Sequence, residues 1–315
     1  MTSTPLAAII LAHNDPVHVR RLITALDDIP IFLHCDARTD PTTAQAMLGN
    51  LPRHVRVVSR RRTSLASWSL VLAELDALRM ALTTTRAEHI IVTSGADYPL
   101  VPMEQVARLL RDWTGQSHFW NTPIPYRRWD TVRHQDGGRW RLQHRFLTRH
   151  DQLIYLRDIP VRLPWKRQIP PGLELRAASQ WKIYCHDDVR RLLHVVDSQA
   201  ELLRFWRSTL IPEESFAASV LASRSLVGSE VLRPCQANGW LIRWPENNTD
   251  HPAWLATEDF DRLVSAAHNE PIGPDTAFVD HRNDPPIPHQ KWFARKFSTA
   301  RSGTLLNRVD RELLQ

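Results

Sequence analysis

Leu6-Ala-Ala-Ile-Ile-Leu-Ala12 is an unbroken apolar run, and His13-Asn14-Asp15-Pro16 follows it at once. Seven apolar residues without alternation describe a strand buried on both faces, as in parallel sheets. Asp15 then reads as a helix N-cap with Pro16 at the first helical position, where its missing N–H is no loss. Val19, Leu22, Ile23 and Leu26 supply the inward stripe of that helix. The unit repeats. Residues 29–35 form the next strand and end in His34-Cys35-Asp36, with further strands at 55–58 and 89–93. Residues 69–84 carry apolar side chains at 71, 72, 75, 78 and 82, a helical period. Strands alternating with helices imply an α/β chain with a mostly parallel central sheet flanked by helices. Asp36 and the turn Ser94-Gly95-Ala96-Asp97-Tyr98-Pro99 both leave carboxyl ends of strands, where open α/β sheets bind ligands.

Further along, a helix is expected over 102–112 and strands over 117–121, 179–185 and 240–244. Helices are expected over 187–196, from Pro212-Glu213-Glu214 onward, and over 257–267 with Thr257 as cap. Between 124 and 176 no period persists, and Pro, Trp and Arg recur. That segment holds 11 Arg and 1 Lys against 5 acids, a local charge of +7, so the other 262 residues sum to −1 and the chain to +6. Two readings of the segment stay open: a clamp for an anionic acceptor, or a solvated loop packed down by Trp129, Trp140 and Trp165. No internal repeat and no low-complexity linker is visible.

The 315 residues exceed the ~100–200 of one typical domain. Cys35, Cys185 and Cys235 are too few and too far apart for a disulfide framework or a zinc site, so they read as thiols in a reducing compartment. The first apolar run falls far short of the ~18 residues of a membrane span, and no Lys or Arg precedes it. A cytoplasmic protein, neither secreted nor membrane-spanning, is the expectation. Nucleic-acid binding has only the net charge and the Arg/Trp segment in its favour; no helix-turn-helix, zinc pattern or RNP-like strand accompanies them.

Several motifs in order resemble the core-2/I-branching β-1,6-N-acetylglucosaminyltransferases and peptide O-xylosyltransferases, glycosyltransferase family 14. They are Ile10-Leu11-Ala12-His13, His34-Cys35-Asp36, Ser69-Leu70-Val71 with Glu74-Leu75, and Ser94-Gly-Ala-Asp-Tyr-Pro-Leu100. Ser179-Gln180-Trp181, Pro212-Glu213-Glu214-Ser215, Leu241-Ile242-Arg243-Trp244 and Phe293-Ala294-Arg295-Lys296-Phe297 continue the series, which spans residues 6–298. The resemblance implies a GT-A-like fold and one catalytic domain. A nucleotide-sugar-binding half (1–123) would be followed by a basic insertion (124–178), then an acceptor and catalytic half (179–315). It further implies inverting transfer of GlcNAc or xylose from a UDP-sugar donor to a hydroxyl of a glycan, peptide or small metabolite, with no metal or other cofactor.

By the same resemblance Glu214 is the general base, with Glu213 as fallback because the family's Asp is here a second Glu. Arg295 and Lys296 hold the donor diphosphate, where fixed cations replace a metal. Asp36 meets the nucleoside in a pocket lined by the backbone of Leu11 to His13, and one of Arg60, Arg61 and Arg62 reaches the donor. Ser94, Asp97, Tyr98, Ser179, Gln180 and Trp181 frame the donor and acceptor pocket. Plainer readings stand beside these: Glu214 as a first-turn acid favoured by the helix dipole, Asp36 as a strand-end Asx turn, Asp97 as a turn cap, Trp181 as core. The one D-x-D, Asp259-Phe260-Asp261, falls in an expected helix, the wrong context for a metal site. The chain departs from the family in two places. Leu65-Ala66-Ser67-Trp68 stands where the family has W-G-G-x, and residues 268–291 intervene before the last motif as a lid or a longer loop. The altered W-G-G block motivates a second hypothesis, a degenerate protein of the same fold that binds a nucleotide sugar or glycan without turnover.

Overall fold

The structure, a computed structural model, describes residues 5–245, 251–269 and 290–315. The expected insertion at 268–291 lies almost wholly outside the described residues. The first half of the chain runs β1 (Leu6–Ala12), α1 (Pro16–Ala25), β2 (Ile31–Cys35), α2 (Pro41–Leu48), β3 (Val55–Val57), α3 (Trp68–Thr84), β4 (His89–Ser94), β5 (Asp97–Pro99) and α4 (Met103–Leu109). Short elements follow: β6 (Asn121–Pro123), α5 (Arg139–Gln143), β7 (His144–Phe146), β8 (Thr148–Arg149), β9 (Gln152–Leu153), β10 (Tyr155–Leu156), β11 (Ile159–Pro160), β12 (Arg162–Lys166) and β13 (Arg176–Ala178). Last come β14 (Lys182–Cys185), α6 (His186–Ser198), α7 (Ala200–Arg207), α8 (Phe216–Ala222), α9 (Arg224–Val227), β15 (Trp240–Ile242), α10 (Phe260–Ala267), β16 (Phe293–Arg295) and α11 (Thr299–Glu312).

The fold is mixed α/β. Its central five-stranded sheet has the order β14-β4-β1-β2-β3; β3, β2, β1 and β4 are parallel, and β14 runs against β4 with Lys182 opposite Val92. β1 is buried along its whole length because both its faces are covered. Ala8 and Ile10 face a cluster with Val19, Leu22, Val106, Leu263 and Leu305, which puts α1, α4, α10 and α11 on one side. Ala7, Ile9 and Leu11 face Val71, Leu78, Leu192 and Phe216, which puts α3, α6 and α8 on the other. Asp15 caps α1 as expected, accepting from His18 N at 3.1 Å. Gly95, just beyond β4, is required by close approach: a Cβ there would lie 2.9 Å from Ala12 Cβ and 3.0 Å from Val19 Cγ2.

Some expectations are corrected. Residues 94–99 are not only a turn, since β5 pairs with β16, and β16 with β15, in a second sheet. Residues 179–185 are not one strand: Ser179 Oγ accepts from Trp181 N at 3.0 Å and breaks the ladder before Lys182. In 117–121 only an isolated bridge of His118 to Ile183 precedes β6. The helix from 102 tightens into a 3-10 turn at Leu110–Trp113, and Pro212–Glu214 is itself a 3-10 turn ahead of α8. Thr257 opens a 3-10 turn instead of capping a helix. No helix among the described residues is long and apolar enough to cross a membrane.

Candidate active site

Parallel strands end on one rim of the sheet. His13 follows β1, Asp36 follows β2, residues 60–62 follow β3, and Ser94 ends β4. β14 is antiparallel, so its beginning reaches that rim, and with it Ser179, Gln180 and Trp181. The second sheet stands over the same edge, with Arg295 opposite Asp97 in register.

Asp97 is fully buried and uses both oxygens. Oδ2 accepts from Thr93 Oγ1 at 2.7 Å and Ser94 N at 2.8 Å; Oδ1 accepts from Ser94 Oγ and Arg295 Nη1, both at 3.0 Å. The Arg295 guanidinium lies 4.2 Å over the Trp181 ring, and its Nε has no partner among the described residues. Burial pulls the pKa of Arg295 down and Asp97 opposes the pull, so the cation is fixed in place with donor capacity unspent. Lys296 Nζ sits 4.2 Å over Trp254, its pKa lowered by burial and then by Arg295 and Arg301. Tyr98 is not brought to this cluster. Its hydroxyl donates to Asp310 Oδ1 at 2.7 Å inside the core, and burial followed by Asp310 drives its pKa far up.

Asp36 is buried and engaged within the chain. Oδ1 accepts from Arg38 N at 2.7 Å, the Asx turn, and Oδ2 accepts from Thr63 N at 3.0 Å and from the Thr63 hydroxyl. Burial pushes this carboxyl up, but the bonds from Thr63 and Arg38 prevail and hold it below its usual value. The three arginines line one cavity of about 860 Å³ but bond differently. Arg60 donates to the carbonyls of Cys35 and Asp36, Arg61 turns away to Asp76, and Arg62 shares with Arg60 the lining of a cavity of about 670 Å³ beside Arg38 and Asp40. His13 joins the two ends of the rim: desolvation lowers its pKa, Asp36 raises it, and Arg38 and Lys296 lower it further. Leu11 contributes a carbonyl already taken by Gly95 N.

The two glutamates differ. Glu213 is buried; Oε1 accepts from Ala66 N at 2.9 Å, while Oε2 has no partner among the described residues. Burial, reinforced by Glu214, pushes its pKa up to about 8, so it is mostly neutral at pH 7. Glu214 is partly exposed and takes Arg141 Nη1 on Oε2 at 3.1 Å. Burial raises its pKa and Arg141 and Lys182 restrain the rise, which leaves an ionisable acceptor on the rim. Arg141 stacks 4.2 Å over Trp129.

The pKa of Glu213 has a testable sign. An acid whose folded pKa exceeds its unfolded value loses stability as pH rises from about 4.5 to about 8, and the loss is complete above that. Glu213→Gln should therefore match the wild type at pH 5 and exceed it at pH 9 by several kcal/mol in urea unfolding. A constant difference across that range would show that Glu213 is ionised when buried.

Sequence reasoning missed four residues here. Arg141 lies in the segment without a period, and Trp254 in no motif. Lys182, only a member of the expected strand 179–185, is buried, with Nζ 3.2 Å from Glu74 Oε2 and 2.9 Å from Gln180 O; Glu74, quoted without a role, also accepts from Tyr184 OH at 2.7 Å. Lys182→Met would strand the Glu74 carboxylate, so a loss of about 3–5 kcal/mol is expected in chemical denaturation. The basic segment is neither wholly solvated nor wholly packed. Arg167 is held by Leu142 O, Phe205 O, Ser208 and Thr209, burial lowering its pKa to about 10, whereas Trp165 is 64% exposed and packs nothing down. Among the described residues no three His, Cys, Asp or Glu side chains are grouped to hold a metal. Asp259 spends Oδ2 on Arg243 and Ala256 N, a structural use.

A family model described as Branch, Core-2/I-Branching enzyme, matches residues 30–263. Curated proteins give no match. Among solved structures, HddC from Yersinia pseudotuberculosis complexed with GMP-PN is 14% identical over 58% of this chain and 78% of that one, at a TM-score of 0.28. A putative glucose-1-phosphate thymidylyltransferase from Bacillus anthracis, in complex with a sucrose, is 12% identical over 60% and 75%, at 0.27. Likenesses this low bear no functional weight.

Proposed function

The chain belongs to the Core-2/I-branching enzyme family and is a glycosyltransferase, and from that premise we propose that it moves a sugar from a UDP-sugar donor to a hydroxyl acceptor by single inverting displacement, without a metal. GlcNAc or xylose is the transferred sugar by family resemblance. The observation that supports this is the assembly of Arg295, Asp97, Ser94 and Trp181 on the rim where Asp36, Arg60, Arg62 and Glu214 also lie.

Each part has work to do. The acceptor hydroxyl is scarcely ionised at neutral pH, and Glu214 takes its proton as the oxygen attacks the anomeric carbon. The C–O bond to the diphosphate breaks on the opposite face, and negative charge grows on the leaving oxygens. Arg295, locked by Asp97 and Trp181, meets that charge without reorganising, and Lys296 adds a second cation. Asp36 and Arg60 hold the loops after β2 and β3 in the shape of a nucleoside pocket. Arg141 orients Glu214, and Glu213 holds Ala66 N beneath it.

Retention of Pro212-Glu213-Glu214 together with Ala294-Arg295-Lys296-Phe297 favours turnover over the degenerate binder that the altered block suggests. Ala66 stands where the family has Gly and keeps a left-handed φ of 62°, a conformation costly for Ala, while its N–H and C=O bond to Glu213 and Ile211 N. The two backbone bonds hold Ala66 in a conformation that glycine adopts freely. Thermal-shift screening of nucleotide sugars, followed by transfer assays with the stabilising donor in EDTA, tests the reading. Donor-dependent transfer that survives EDTA is expected. Activity lost in EDTA and restored by Mg²⁺ or Mn²⁺ would overturn the metal-free mechanism, and stabilisation by donor without transfer or hydrolysis would leave the binding protein.

A further inference from the structure

Trp254 stands in none of the expected motifs, yet the chain fixes it beside Lys296 from both sides. Lys296 N donates to Ala253 O at 3.4 Å, and Leu255 N donates to Lys296 O at 2.9 Å. Ser302 Oγ, in the first turn of α11, donates to Leu255 O at 2.7 Å and ties that helix to the same segment. The ring so held serves two cations: Lys296 Nζ lies 4.2 Å from its centroid and the Arg301 guanidinium carbon 5.8 Å. An aromatic face attracts both cations, but it neutralises neither.

Three cations thus gather with one acid among them. Arg295 has Asp97, but Lys296 and Arg301 have no carboxylate partner among the described residues, and Arg295 and Arg301 both depress the pKa of Lys296. Asp15, which reaches the head of α11, is spent there on Thr299 N at 2.7 Å and Thr299 Oγ1 at 2.6 Å, and on His18 N at 3.1 Å. Arg301 also opposes its own helix. It sits in the first turn of α11, where the dipole favours acids, and that turn has none. Like charges set together against a helix dipole cost stability, and an anion bound among them restores it. We infer that Arg301 is a third cation on the leaving diphosphate, and that Trp254 is the positioning residue that holds Lys296 and Arg301 to it. This rests on the reading above, in which Arg295 and Lys296 take the diphosphate. Arg301 bonds to phosphate oxygens and exchanges no proton. Exposed on α11, it closes the anion site from a second element, whereas Arg295 and Lys296 are neighbours at the end of β16.

The probe is inorganic pyrophosphate, which needs neither sugar nor nucleoside, titrated calorimetrically into the full chain. Arg301→Gln should weaken its binding by about tenfold or more, the size of one charge-assisted bond, and Arg301→Lys should keep most of it. Arg311→Gln removes the same charge from the last turn of the same helix, where the side chain is 63% exposed, and should leave binding unchanged. Trp254→Leu should weaken binding as Arg301→Gln does, and Trp254→Phe should restore it at an unfolding midpoint equal to that of the Leu variant. No binding by the wild type, binding unchanged in Arg301→Gln, or an equal loss in Arg311→Gln would overturn the proposal. Binding indifferent to Trp254→Leu, or lost equally in Trp254→Phe, would overturn the part given to the tryptophan. A wild type that binds pyrophosphate through Arg301 but transfers no sugar would favour the binding protein and leave the anion site standing, so the two readings fail separately.

Discussion

Glu214→Gln is expected to cut sugar transfer by about 10²–10⁴-fold while leaving donor binding intact, the loss typical of a general base made neutral. The fold should hold, because the glutamate is partly exposed and a glutamine oxygen can still accept from Arg141. Donor-induced stabilisation in a thermal shift then reports an intact pocket while turnover collapses. The companion Glu213→Gln separates the two carboxyls. At pH 7 Glu213 is mostly neutral, so glutamine resembles what is already there, and turnover should change little. In the wild type the rate should rise with pH through the raised pKa of Glu214, since only the ionised form accepts a proton. Full activity in Glu214→Gln with loss in Glu213→Gln would exchange their roles.

Arg295→Met carries the second large effect, a fall of about 10²–10³-fold in kcat, as for removal of one preorganised donor from a developing charge. It also leaves the Asp97 carboxylate without its cation. Thr93 and Ser94 keep three bonds to it, so the stability loss should stay at or below about 3 kcal/mol. Adding Asp97→Asn removes the stranded charge. Stability should return in the double variant and turnover should not, which distinguishes a catalytic cation from a structural ion pair. Recovery of both would assign Arg295 to the fold.

Much of this molecule is readable in its sequence. Leu6–Ala12, His89–Ser94 and the helix Trp68–Thr84 declare themselves because burial on two faces, or on one stripe, leaves a local period. Asp36, Ser94 and Trp181 follow, since strand ends are local features. What is hidden depends on partners far along the chain. Arg141 meets Glu214 across 73 positions, and Lys182 is buried because Glu74, 108 positions earlier, neutralises it. The strand at Asp97–Pro99 looks like a turn because its partner, Phe293–Arg295, lies near the other end of the chain. Tyr98 reads as a site residue from its motif, but α11, not among the expected elements, captures its hydroxyl through Asp310.

β6 and β13 bear on how such an enzyme changes its acceptor. Asn121–Pro123 pairs antiparallel with Arg176–Ala178, so residues 124–175 leave the body and return at a single clasp. Beyond the clasp the chain passes through Ser179–Trp181 directly into the strand beside β4. The intervening stretch is thus held as a cassette: its ends are already adjacent, so exchanging it for one of different length adds little loop-closure entropy. Its attachments to the body must travel with any replacement, among them the arginine that reaches Glu214, the buried Arg167 that ties the cassette to the end of α7, and the bonds of Asp151, Gln152 and Leu153 to Ser69, Arg62 and Ser67. On the proposed reading the donor side lies at the carboxyl ends of β1, β2 and β4, outside the clasp, so that acceptor choice can diverge on one side while the leaving-group chemistry stays fixed on the other.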